Sequence, residues 1–290
     1  MVDDGFDGEI QLFNPVSKRG IQLPSLSTIF LSSYPDHDPH QLTSGCFEPR
    51  FIYKSVLSSD PRMTKDYVVV AIVTDKKKLV YYKAGGGRPY SYRWISMATQ
   101  WDCFQDVIYH KGKFYAVSSN GPVITFEFSS SEFPIITEII PRPRGKGRRC
   151  DRYYLVELLG ELLLVLCHFR WLLEEVLDDN DNDDHDIFVT FDTGRTEDGF
   201  KNYKFDVFKL DESKREWIQM KSIGDNILIL GNCYSVSLPA HYYQGDKGNS
   251  IRIKEDLTAV IQIKSPSSWT IPTFRVFTPK TMVDLKYLSQ

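Results

Sequence analysis

With 290 residues the chain is long enough for one large all-β domain or two small ones. A formal net charge of −3 supplies no field for holding a polyanion, and an aromatic share of 13% suits half-buried pleated surfaces. The acidic stretch 1–9 lacks the apolar core of a secretory signal, and the strongest apolar stretch, 155–177, is broken by Glu157, Glu161, His168, Arg170 and Glu174, so it cannot span a bilayer.

In chain order, residues 9–24 read as a strand, an Asn14-Pro15 turn and a returning strand stopped by Pro24. A loop rich in Ser, Pro and His follows over 25–45, and 51–57 resumes β structure. Residues 67–73 and 78–83 form two apolar runs, and Gly85-Gly86-Gly87 links the second of them to 92–96. The clearest pattern spans 106–128. Val107 and Tyr109, then Phe114 and Ala116, then Val123, Thr125 and Glu127 fall at alternate positions of three extended segments. The intervening turns, 110–113 and 118–122, contain Gly, Asn and Pro, residues that accept positive φ or pre-set a turn. This predicts a three-stranded antiparallel meander with a buried face, completed by 135–140.

The same run, Gly hinge and run recurs at 153–165, where Gly160 lies 48 residues after Gly112. Residues 67–83 are an earlier copy and 226–232 start a later one. A spacing of roughly 40–50 residues is that of propeller blades. The Leu-rich 162–177 fits strand or helix by composition. It runs into 178–186, a block with Asp at 178, 179, 181, 183, 184 and 186 that is expected to be an exposed, dispensable loop. Residues 205–210 and 216–220 read as a hairpin whose Phe205, Val207 and Trp217 share one core. Alternation returns over 258–264 and ends near Trp269.

Five cysteines (Cys46, Cys103, Cys150, Cys167 and Cys233) are widely spaced and odd in number, and no Cys-x-x-Cys or Asn-x-Ser/Thr occurs. These features point to free thiols in a reducing compartment, hence cytoplasm or nucleus.

The ordered phrases make a family resemblance. They are Leu12-Phe13-Asn14-Pro15 with Ile21-Gln22-Leu23-Pro24, the segment 56–61 before 67–70, and 106–115. Further along come 154–157 with 160–165, 205–210, Leu230-Gly231-Asn232 with 234–237, and 269–273. In this set the chain resembles the KIB-type β-propeller of plant F-box proteins over almost its whole length. The resemblance implies an all-β fold, a β-propeller of degenerate kelch-like or WD-like blades in a single domain over 1–290. It also implies a substrate-recognition role in ubiquitin ligases, with no enzyme activity and no cofactor. Family members begin with an F-box that docks on a Skp-type adaptor. Here Leu23-Pro24 follows a strand instead, so the expectation is a propeller without its F-box, incomplete at the N-terminus and not docking that adaptor.

Candidate chemistry is sparse. From Asp179, an EF-hand loop would need Gly and Glu where Asp184 and Thr190 stand, and His185 alone makes no metal set. No His-Glu-x-x-His, Gly-x-Ser-x-Gly or P-loop motif occurs. A propeller hydrolase would need converging carboxylates, and Asp60, Asp102 and Asp106 read simply as residues near turns. Arg142, Arg144, Arg148 and Arg149 form a basic run that could serve nucleic acid, but no aromatics interleave with it, so a solvated loop is the simpler reading. Tyr90, Tyr92, Trp94 and Trp101 flank loops and, with the arginines, are the candidate surface for a protein target, although packing is the more usual fate of such aromatics. No metal site, membrane or nucleic-acid partner is expected.

Overall fold

The structure is a computed structural model that describes residues 10–14, 17–25, 52–73, 77–85, 93–97, 99, 101, 103–128, 133–143, 150, 152–170, 188–189, 202–231, 234–242 and 248–253. Among the described residues the regular elements are strands, together with a short 3-10 turn at Ala240–Tyr242. The acidic block 178–186, His185, Asp102 and the 258–273 segment lie outside the described residues.

The chain divides into two compact units. The first comprises Met1–Tyr109, Phe128–Pro134 and Leu257–Gln290, the second His110–Glu127 and Ile135–Asp256.

In the first unit β1 (Ile10–Asn14) and β2 (Arg19–Leu23) form the expected hairpin. Asn14 closes it, its Oδ1 accepting the Ser17 N–H at 2.7 Å. Four further strands, β3 (Ile52–Leu57), β4 (Val68–Val73), β5 (Lys78–Lys83) and β6 (Ile95–Ser96), make one antiparallel sheet in sequence order. All six residues of β4 are buried, as befits a strand covered on both faces. Ile10, Leu12 and Leu23 share a core with Val69, Ala71, Val80 and Trp94. The Trp94 indole N–H donates to the Pro24 carbonyl at 3.1 Å, which fixes the end of the hairpin.

Residues 104–140 form the next four-stranded sheet, ordered β10-β9-β8-β7, with β7 (Phe104–His110), β8 (Lys113–Ser118), β9 (Val123–Glu127) and β10 (Ile135–Ile140). The meander expected over 106–128 is present. Val107, Phe114 and Ala116 are buried and Tyr109 is half-buried. Phe114 and Phe126 stand opposite each other and stack, with ring centroids 5.3 Å apart.

In the second unit, β11 (Arg152–Leu158), β12 (Glu161–Arg170), β14 (Asn202–Asp211) and β15 (Glu216–Met220) form an antiparallel sheet in that order. The Leu-rich segment is therefore a strand as far as Arg170. The hairpin at 202–220 is as expected, but its core is divided. Leu210 stands opposite Trp217, while Val207 stands opposite Met220. Opposed residues share a face and neighbours alternate, so Trp217 is buried on the face away from Phe205 and Val207.

The last sheet is ordered β13-β18-β16-β17, with β13 (Phe188–Val189), β16 (Asn226–Leu230), β17 (Val236–Pro239) and β18 (Ser250–Ile253). It departs from a simple meander. The strand β18 runs parallel to both β16 and β13, because after β17 the chain crosses to the other side of β16. Asn249, at φ +59, anchors the crossing by accepting the Ile223 N–H at 2.8 Å.

Candidate functional site

The buried polar side chains come first, because each must find a partner or carry a desolvation cost. In the first unit Lys54 on β3 and Asp106 on β7 form an ion pair with side chains only 4% and 2% exposed. Asp106 Oδ1 also accepts the Val107 N–H at 2.6 Å. Asp106 is thus a buried strand residue bonded to a strand more than fifty positions earlier, not a residue merely near a turn. Asp60 does sit in a turn, clasped by the Arg62 guanidinium at 2.6 Å.

In the second unit buried His110, at the end of β7, places Nδ1 3.2 Å from Glu157 Oε2 on β11. The Ser237 hydroxyl on β17 donates to the Glu157 carbonyl at 2.6 Å, which ties the last sheet to the same strand. Burial, and then the field of Glu157, raise the Tyr234 phenol above its ordinary range. His168 and Asp206 pair across β12 and β14 at 3.1 Å. Lys54 with Asp106, His110 with Glu157 and His168 with Asp206 are thus paired between strands. Among the described residues no group of three or more His, Cys, Asp or Glu side chains is arranged to hold a metal.

The exposed surface of the second unit holds a different arrangement. Two hairpins of the repeat close through two-residue turns in which both central residues have positive φ, Lys111 and Gly112 at +46° and +84°, and Leu159 and Gly160 at +51° and +82°. These are the type I′ turns whose twist suits a hairpin. The second turn is unusual in its first residue. Asn, Asp or Gly tolerates that conformation best, whereas Leu159 occupies it with 82% of its surface in solvent.

The β14–β15 turn lies beside the first of these. Lys111 Nζ donates to Glu212 Oε1 at 2.9 Å, and this bond, with the fields of Glu212, Glu161 and Glu157, raises the lysine above its usual range. Asp211 builds the turn by accepting the Ser213 and Lys214 N–H groups at 3.0 and 3.1 Å and the Ser213 hydroxyl at 2.6 Å. These bonds, the Ser213 hydroxyl's first, hold its carboxyl below its ordinary value. Lys111, Glu161 and Glu212 therefore form a charged group with the Leu159 turn on one of its hairpins.

The residues expected to form an interaction surface are distributed otherwise. Trp94 is fully buried in the first unit's core, a structural tryptophan whose only polar atom is bonded to Pro24, and it cannot act as a contact residue. Trp101 is half-buried, its carbonyl accepting the Thr99 hydroxyl at 2.7 Å. Arg142 is exposed. Tyr90, Tyr92, Arg144, Arg148 and Arg149 lie outside the described residues. Leu159, Lys111 and Glu212 were not singled out by sequence reasoning. The available signal was the Leu-Gly dipeptide at a hairpin tip where Asn-Gly or Asp-Gly is the ordinary choice.

Residues 1–270 match the model of the KIB1-4 beta-propeller family. The F-box protein At4g35733 of Arabidopsis thaliana is 25% identical over 253 residues, which cover 84% of this chain and 62% of that one. The Arabidopsis F-box protein At2g26160 is 25% identical over 200 residues, covering 69% and 53% respectively. A third relative from the same plant, also named for an F-box, is 28% identical over 160 residues, covering 54% and 37%. The chain thus spans less than two-thirds of the length of the curated relatives it matches.

Proposed function

The chain belongs to the KIB1-4 β-propeller family, and on that premise we propose that it recognises a protein target through its hairpin turns, as the recognition propeller of a ubiquitin ligase would, and carries out no chemistry of its own. The observation that carries this reading is the exposed Leu159, held in a left-handed conformation on a two-residue turn beside Lys111, Glu161 and Glu212. Holding a leucine at positive φ costs stability, and backbone strain of this kind concentrates at functional sites. A rigid antiparallel hairpin presents that side chain with little entropy left to lose on binding. The wide spacing and odd number of the cysteines support a reducing, intracellular setting.

Affinity capture of the tagged chain from plant extract, alone and fused to an F-box module, tests the reading. A common target recovered by both forms is expected, with a cullin-type ligase joining it in the fused form. Turnover of small ester or glycoside substrates by the purified chain, abolished by a His110 or Asp206 substitution that leaves the fold intact, would refute it.

A further inference from the structure

We propose that β10 is a self-association edge, through which two copies of this chain pair antiparallel about a two-fold axis and join two four-stranded sheets into one. Among the described residues the strand is terminal in its sheet, with no strand of that sheet on its outer side. An uncovered edge presents backbone N–H and C=O groups that another strand can take up. Here it also presents apolar side chains, since Ile136 and Ile139 are 38% and 49% exposed.

The identity of the partner follows from the residue order. Residues 134–141 read Pro-Ile-Ile-Thr-Glu-Ile-Ile-Pro, the same isoleucine pairs and prolines in either direction. A bulge decides whether this symmetry can be used. The register with β9 shifts between Ile136 and Glu138, and Thr137 leaves the ladder, its hydroxyl 2.8 Å from that of Thr125. The rungs are then Ile135, Ile136, Glu138, Ile139 and Ile140. A two-fold axis perpendicular to a sheet keeps each side chain on its own face and places one rung opposite its own copy. It therefore requires an odd number of rungs, with mates on a common face. The β9 partners assign the faces: Ile136 and Ile139 oppose Phe126 and Ile124, while Ile135, Glu138 and Ile140 oppose Glu127, Thr125 and Val123. Every mate is on the correct face, Ile136 with Ile139, Ile135 with Ile140, and Glu138 with its own copy. Without the bulge the run would be even and the mates would face opposite ways.

Glu138 is the one opposing element, because two carboxylates would meet on the axis. The Arg215 guanidinium lies 3.8 Å from it in each copy and offsets part of that repulsion. Pro134 and Pro141 limit the pairing to the strand, and since a two-fold contact uses the β10 edge of both copies the assembly closes as a dimer. A five-rung contact is small, so the dimer dissociates on dilution.

Sedimentation equilibrium of the full chain tests this, with reductant present because Cys103 is exposed. The mass should rise from 33.5 kDa toward twice that value as concentration increases from micromolar to millimolar. The double variant Ile136→Lys and Ile139→Lys should dimerise at least about tenfold more weakly with an unchanged melting temperature, because both side chains are exposed. Glu138→Gln should dimerise more tightly than the native chain. A native chain that stays at monomer mass throughout, as it would if the edge served an extended segment of a different protein, overturns the proposal. So does a correctly folded lysine variant that associates like the native chain.

Discussion

In the first unit the tie between β3 and β7 is Lys54 with Asp106, two full charges almost entirely out of water. In the second, the tie between β7 and β11 is His110 with Glu157, one member of which, the carboxylate, is 45% exposed. The two ties join strands in the same way but respond differently to loss of a partner. Removing one charge from the first leaves the other buried without its counter-charge, whereas removing His110 from the second leaves a carboxylate that water reaches. Losing one member of the first pair is therefore expensive, and the second is an adjustable contact.

The sharpest break in this comparison is Lys54→Met. It should cost about 3–5 kcal/mol in urea unfolding, and adding Asp106→Leu should restore most of that loss, since the stranded charge is then gone. High pH should act on both units alike. Burial pushes Tyr67 in the first unit, and Tyr115 and Tyr153 in the second, up to about 12. A phenol whose folded pKa exceeds its unfolded value of about 10 contributes stability that is complete below pH ~10 and is lost as pH rises toward ~12. Melting temperature should accordingly fall across that window, and absorbance titration of the folded protein should show these phenols ionising late. His110→Leu should cost less than about 1.5 kcal/mol in the same urea assay, far below Lys54→Met, because the Glu157 carboxylate it leaves behind is open to water. A cost equal to that of Lys54→Met would remove the distinction. The smallest effect is a gain: Leu159→Gly should stabilise by about 1 kcal/mol, because glycine takes positive φ without the steric cost that leucine bears. Gly112→Ala in the sister turn should lose a similar amount.

Local patterns made the strands legible. Period-2 alternation located the 106–128 meander, the hairpins at 10–23 and 202–220, and the strand pair at 68–83, because each depends on neighbours a few residues away. The repeat placed Gly112 and Gly160 at equivalent turns, and both adopt the positive φ that the pattern required. Long-range partnership was hidden. Asp106 looked like a turn residue because nothing near it in sequence announces Lys54, and Trp94 looked available for contact because Pro24 lies 70 positions earlier. Trp217 was assigned to the wrong face because faces follow from register, which the turn length sets and composition does not. The parallel placement of β18 depends on a crossing that no local signal encodes. The candidate contact residue Leu159 was overlooked for a related reason: a leucine in an apolar run reads as core until its turn conformation is known.

Whether the hairpin turns of the second unit meet a protein target is read out by site-specific photo-crosslinking. A photoreactive residue at position 159 should capture a discrete protein from plant extract. The same group at exposed Ile218, on β15 of the same unit, should not. Capture at 159 should disappear when Lys111 and Glu212 are both replaced by alanine, exposed changes that leave the melting temperature near that of the native chain. Identical crosslinking from 159 and 218, or capture at 159 that is indifferent to Lys111 and Glu212, would contradict the claim.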